Sequence, residues 1–403
     1  MKPAMLNALH NNPPPPLPHK RQIFLDWLRI IAFALLVVYH VGMYYVSWDW
    51  HIKSPQASAA LEPWMRLLSP WRLGLLFLVS GAATSFMLLR QGASGETLRT
   101  RAKRLLIPLL LGIFVIVPPQ AFLEVVHKYA YAGGYVDFMR LYLVGYGGFC
   151  AKAGHCLILP TWNHLWFLPY LFIYTALLWL LLRRWPGVLD ALALRLPRVL
   201  GHAWLLVLPV VLLASTRYAM VARFPVTHAL VDDWFAHTQF FALFMLGAVL
   251  ARASVMWDRM AQQRWVALLL AVVAWAMLVV MSPATLRPLL YSVQQWCAIV
   301  AALGFARRFL NHDSAARRYL TEAVFPVYIL HQTLTILLAQ ALLGAALPAR
   351  IEGPLLVVTT FVLSFAGFEV VRRVRWARPL FGLNSPHHQR TSASVKASAG
   401  DTG

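Results

Sequence analysis

The sequence predicts an all-α fold: a polytopic integral membrane protein of about ten transmembrane helices, with both termini in the cytoplasm. Three observations predict it. Hydrophobic residues make up 60% of the 403 and charged residues only 13%, against roughly 25% charged in a soluble domain. The apolar excess runs in stretches of about 20 residues, the length a helix needs to cross the hydrocarbon core. Lys and Arg gather in alternate gaps between those stretches, the signature of short cytoplasmic loops.

The ten candidate spans lie near 24–46, 67–89, 105–127, 164–183, 199–216, 236–252, 265–282, 287–306, 319–344 and 354–372. Lys20 and Arg21 precede the first. Arg90, Arg99, Arg101, Lys103 and Arg104 follow the second, and Arg183, Arg184, Arg195 and Arg198 follow the fourth. Arg252, Arg259 and Arg264 follow the sixth, Arg307, Arg308, Arg317 and Arg318 the eighth, and Arg372, Arg373, Arg375 and Arg378 the tenth. The net charge of +21 is thereby a topology signal, and no soluble basic face suggests nucleic acid. The outward gaps carry few basic residues. The longest, after the third span, holds Cys150 and Cys156, which form a disulfide if that side is oxidising. Cys297 lies in an apolar run and reads as packing. No Cys or His spacing indicates a metal.

Residues 1–20, with prolines at 13 to 16, read as a disordered cytoplasmic tail, and the Ser, Ala, Lys and Gly-rich 381–403 as a second. Residues 21–380 form one membrane domain. The first apolar run is too long for a signal peptide and lacks its cleavage site. No internal repeat points to an inverted-repeat transporter.

Ionisable residues inside spans are functional candidates, because burying charge there is costly. Span one carries Asp26, Arg29 and His40. Arg29 and His40 are eleven positions apart, almost three turns, so they share a stripe with about 16 Å between them along the axis. Asp26 sits one turn before Arg29 and can pair with it. His40 is the natural general base near neutral pH, or else a bonded packing histidine. Span two carries Arg72, then Ser80-Gly81, small enough for close helix approach. His164 and Trp166 open span four at the outer surface. Tyr328 and His331 are one turn apart on one face of span nine, behind Pro326, which kinks the helix or frees a carbonyl. Glu124 is a further candidate, and Glu369 reads as an edge ion pair with Arg372 and Arg373.

Four segments, in order, resemble membrane-bound acyltransferase family 3: Phe24-Leu25-Asp26-Trp27-Leu28-Arg29 followed by His40; Phe77-Leu78-Val79-Ser80-Gly81 with Arg101-Ala102-Lys103-Arg104; His164-Leu165-Trp166-Phe167-Leu168; and Tyr328-Ile329-Leu330-His331. Within the family the chain looks most like the glucan biosynthesis protein C subgroup, associated with succinylation of periplasmic glucans. The resemblance implies transfer of an acyl group, acetyl or succinyl, from cytoplasmic acyl-coenzyme A to a hydroxyl of an extracytoplasmic carbohydrate, in the bacterial inner membrane. It implies His40 as the catalytic residue and Arg29, Arg101 and Arg104 at the donor.

The residues themselves suit that chemistry. Coenzyme A is polyanionic, and guanidinium groups bind phosphate bidentately. His40 acts as base or as acyl carrier. Tyr328 or His331 donates to the developing oxyanion. His164, Trp166 and Arg72 contact the acceptor. The competing reading is a multi-pass exporter of a sugar or lipid-linked sugar, which predicts a broken helix at the midplane; a membrane sensor or scaffold is a third. The partners expected are the bilayer, acyl-coenzyme A and a carbohydrate, with no nucleic acid. The oligomeric state is left open.

Overall fold

The computed structural model describes residues 22–152, 155–281 and 284–383. The expected N-terminal tail lies outside them, as does the C-terminal one from 384. Residues 381–383 are packed, with Leu383 buried beside Ala323 and Phe368.

Fourteen α-helices are described: α1 Ile23–Tyr45, α2 Glu62–Gln91, α3 Gly95–Leu111, α4 Pro118–Tyr129, α5 Tyr135–Leu143, α6 Phe167–Arg184, α7 Val188–Val199, α8 Trp204–Met220, α9 Trp234–Leu250, α10 Ser254–Val280, α11 Arg287–Phe309, α12 Ala315–Leu342, α13 Ala349–Arg373 and α14 Ala377–Leu380. Among them one two-stranded antiparallel hairpin, Cys150–Lys152 with His155–Cys156, interrupts the helical pattern. Cys150 and Cys156 are joined by a disulfide, and Cys297 is buried and unpaired.

Seven helical segments are long and apolar enough to cross a membrane. The count rises to nine if each of two bent pairs is one span. One pair is Gly95–Ile116 with Pro118–Tyr129, bent by 43°. A π-helical stretch, Gly112–Ile116, ends there against Pro118 and Pro119. Both features weaken the i to i−4 ladder. The other pair, α7 and α8, turns by 109°, so Arg195 and Arg198 sit on a helix where a loop was expected. α9 is a shorter apolar helix of 17 residues. Only 22% of the apolar window of α10 and 28% of that of α13 are buried. Apolar faces of that extent are stable against lipid rather than water.

Close packing needs glycine at one crossing. A Cβ on Gly81 of α2 would meet the Phe244 carbonyl oxygen, and one on Gly247 of α9 the Leu78 carbonyl oxygen. The backbones therefore touch there, as Ser80-Gly81 led one to expect. Pro326 stands inside a continuous α12. Asp26 pairs with Arg29 at 3.9 Å, as expected, and also with Arg317 of α12 at 2.5 Å. Arg372 and Arg373 both pair with Glu369 at 2.9 Å, as expected.

Candidate active site

The stripe on α1 organises the site. Positions 29, 33, 36 and 40 step by four, three and four, which keeps them on one helical face. Arg29 and Phe33 line one cavity of about 540 Å³. Phe33, Leu36 and His40 line a second, of about 440 Å³. Phe167 also borders both. The two chambers thus share a wall made by Phe33 and Phe167, with Tyr328 packed 5.1 Å from Phe33 and 6.4 Å from Phe167, ring to ring.

The first chamber is basic. Arg29, Arg101, Arg104, Arg318 and Arg378 line it, with Glu322 the one carboxylate among the described residues. Arg378 bonds Glu322 at 3.2 Å and Arg318 pairs with Asp313 at 2.9 Å. Arg101 has a buried Nε with no partner, and Arg104 is exposed. Ser80 and Thr84 add hydroxyls to the wall. The three arginines expected at a donor therefore converge on one space.

The second chamber contains His40. Its Nδ1 lies 2.8 Å from the Nε2 of His331, with the rings nearly parallel at an interplanar angle of 5°. His331 Nδ1 lies 2.7 Å from the Tyr328 carbonyl oxygen. A carbonyl only accepts, so that nitrogen carries the hydrogen. With both rings neutral, His331 Nε2 is then a lone pair and must accept from His40 Nδ1–H. His40 is left with an unprotonated Nε2, the atom a general base or nucleophile needs.

His164 is buried, 6% exposed, in the wall of the same chamber. Its Nε2 donates to the Ile329 carbonyl oxygen at 3.1 Å, and Gln120 approaches its Nδ1 at 3.5 Å. Its own carbonyl accepts the Tyr328 hydroxyl at 2.6 Å. The Tyr328 and His331 hydrogens are thus committed to backbone oxygens, so the pair fixes His164 and His40 rather than facing an oxyanion. Trp166 does line the chamber, but His228 stacks on it at 4.1 Å between centroids and covers one face. Arg72 also lines the chamber, 3% exposed, its guanidinium 3.8 Å from the centroid of Tyr39.

A polar network runs outward from this core. Gln120 donates to Thr333 at 2.5 Å and accepts from Asn163 at 3.1 Å and from Gln332 at 3.0 Å. Gln332 approaches His51 Nε2 at 2.9 Å, and His51 Nδ1 lies 2.5 Å from Glu124. Lys128 pairs with both Glu124 and Asp49, at 2.9 and 2.8 Å. A donor–acceptor chain of this kind holds α4, α12 and the turn that precedes α6 in one geometry.

Sequence reasoning missed Arg217, Gln120, His51, Gln332 and His228. An arginine within an apolar helix is the available signal for Arg217, but the fifth expected span, 199–216, stops one residue short of it. The others are uncharged or lie in loops, where periodicity says nothing. Among the described residues no group of three or more His, Cys, Asp or Glu is placed to hold a metal ion.

A family model described as "Acyltransferase domain" matches residues 22–369. The chain is similar to the glucans biosynthesis protein C of Escherichia coli (strain SMS-3-5 / SECEC), 30% identical over 105 residues, 26% of this chain and 27% of that one. It is 28% identical over 162 residues to the protein of the same name from Escherichia coli O6:K15:H31 (strain 536 / UPEC), covering 40% of this chain and 39% of that one. The aligned stretches therefore span well under half the length of these curated relatives. No solved structure matches.

Proposed function

Since the chain belongs to this acyltransferase family, we propose that it is a membrane O-acyltransferase carrying an acyl group from acyl-coenzyme A to a carbohydrate hydroxyl. The observation that carries the reading is the shared wall. A basic chamber suited to a polyanionic thioester adjoins a chamber holding a histidine with a free Nε2, and Phe33 and Phe167 border both.

The steps balance. The nucleotide and pyrophosphate of the donor rest against Arg29, Arg101 and Arg104. The pantetheine arm passes between Phe33 and Phe167 and presents the thioester to His40. His40 Nε2 takes the proton of the acceptor hydroxyl as its oxygen bonds to the thioester carbon. The C–S bond breaks, and the departing thiolate recovers the proton from the imidazolium. His331 accepts from His40 Nδ1–H throughout and holds the ring in the competent tautomer. The same free Nε2 also suits a two-step route through an acyl-imidazole. Rapid quenching of donor with enzyme, in the absence of acceptor, separates the two: label on protein means the acyl carrier.

The basic chamber faces the cytoplasm in this reading, and the Cys150–Cys156 hairpin faces the oxidising side. Clustered arginines at one end support that orientation, and so does the disulfide at the other. Both termini are then cytoplasmic, and the membrane is the bacterial inner membrane. The acyl group is acetyl or succinyl, and the acceptor a glucan or related carbohydrate.

His40→Ala in purified protein is the test. Retained transfer of labelled acyl groups to glycan, with folding intact, would sink the assignment. Arg101→Ala with Arg104→Ala should weaken coenzyme A binding by about 10-fold or more, from the loss of charge-assisted bonds to phosphate. Unchanged affinity would remove the donor site from this chamber. The exporter reading predicts no label in the glycan.

A further inference from the structure

We propose that the His40 chamber contains an anion-binding subsite, built from Arg72 and Arg217, that takes a carboxylate or phosphate carried by one of the two reactants. The proposal rests on the reading of that chamber as the place where acyl group and acceptor meet.

Arg72 of α2 is 3% exposed, and its Nε and Nη1 have no hydrogen-bond partner. Its guanidinium lies over the ring of Tyr39, 3.8 Å from the centroid. Arg217 of α8 lies over the ring of Tyr291, 4.0 Å from the centroid, and donates one bond to Gln295 at 3.2 Å; its Nε has no partner. Both line the chamber that His40 lines, and among the described residues no Asp or Glu lines it.

Three other arginines with enclosed side chains do have a carboxylate partner. Arg317 has Asp26 and Asp313, Arg252 has Asp190, and Arg378 has Glu322. Two guanidiniums held inside an apolar bundle without a counter-charge are costly. Ring faces return only about 2 kcal/mol even when desolvated. The unused hydrogens of Arg72 and Arg217 are charged donors of the kind that carboxylate and phosphate oxygens accept. A bound anion supplies what the protein withholds. It would also place its carrier beside His40, so that a charged reactant is selected over a neutral one of the same shape.

The anion has two possible carriers, the far end of the acyl group or a substituent of the acceptor. Equilibrium binding to the purified full-length chain in detergent separates them with two pairs of probes, each differing by its anionic group. Monomethyl succinate and methyl butyrate differ in a terminal carboxylate and represent the acyl side. Glucose 6-phosphate and glucose represent the acceptor side. One charged probe should bind at least about 10-fold more tightly than its neutral counterpart, the selectivity expected of charge-assisted bonds. That selectivity should vanish in Arg72→Met and in Arg217→Met and persist in part in Arg72→Lys. It should remain in a variant carrying Arg101→Ala and Arg104→Ala, which removes the other basic chamber as its source. Equal binding of charged and neutral probes by the unmodified protein overturns the proposal without recourse to any variant. So does selectivity that survives both Met substitutions, or that disappears only with Arg101 and Arg104. Binding needs no turnover, so a protein that fails to transfer acyl groups would count against the reaction and leave this result standing.

Discussion

His40 and His331 stand 291 positions apart in the chain, and their ring nitrogens lie 2.8 Å apart in the fold. The hydrogen between them belongs to His40, because the other nitrogen of His331 is spent on the Tyr328 carbonyl oxygen 2.7 Å away. The pair resembles a base with its orienting partner, except that the partner is neutral and so stabilises an imidazolium less than a carboxylate does.

His331 should therefore act as a positioning residue. Removing the orienting carboxylate of a serine protease costs about 10⁴ in kcat. A neutral partner predicts a smaller loss, about 10²-fold, for His331→Phe. His331→Gln keeps an acceptor for His40 Nδ1–H and should recover part of it. Steady-state kinetics checks this: kcat should fall with KM for the donor little changed, and the acid limb of the kcat/KM profile should move. A loss confined to KM would contradict the role.

Phe33 and Phe167 should control passage between the chambers. Phe33→Trp narrows the gap and should lower kcat while the coenzyme A dissociation constant stays the same. Phe33→Ala or Phe167→Ala should admit water to the thioester, raising hydrolysis relative to transfer. The ratio of free acid to acylated glycan reports it, and an unchanged ratio in both alanine variants would show that the thioester does not pass this wall.

The α2–α9 crossing should not tolerate a side chain. Gly81→Ala and Gly247→Ala each drive a methyl group into a backbone carbonyl, and overpacking of this kind costs about 1–3 kcal/mol. Thermal unfolding in detergent should show a lower midpoint for both. Gly95→Ala, where a Cβ would meet nothing within 4 Å, is the control and should leave the midpoint unchanged.

The loop between α8 and α9 should loosen in acid. Burial holds the pKa of His228 below its ordinary value, and the nearby Asp233 opposes this only in part. The unfolded or opened loop therefore binds a proton more readily than the packed one. Stability from the neutral ring is complete above the ordinary histidine pKa and declines as pH falls below it, toward the lowered folded value. The Asp233 side chain accepts from the backbone of Thr227 at 3.2 Å and of His228 at 3.1 Å, and Trp166 supplies the stacking face. Hydrogen exchange of residues 226–233, corrected for intrinsic rates, should quicken between about pH 7 and 5.5, below the usual histidine pKa. His228→Phe should abolish that dependence.

What the chain alone determined are properties that repeat at short range. Apolar runs of span length placed helices at ten sites. The four- and three-residue steps of Arg29, Phe33, Leu36 and His40 put one stripe along α1, and that stripe borders both chambers. The small residues Ser80 and Gly81 marked a close crossing. Helix periodicity is a local rule, so these features need only neighbouring residues. Lateral packing is not local. No period in α1 or α12 sets His40 against His331, or brings Arg317 to Asp26 alongside Arg29. Nor could periodicity reveal that His164 is held in the chamber wall by Ile329 and Gln120, because the hydropathy of the first turn of a span is the same at a membrane surface as beneath a folded loop. The tertiary structure decided these pairings. It did so because each buried polar atom must find a partner, and across a helical bundle that partner comes from whichever helix packing brings alongside.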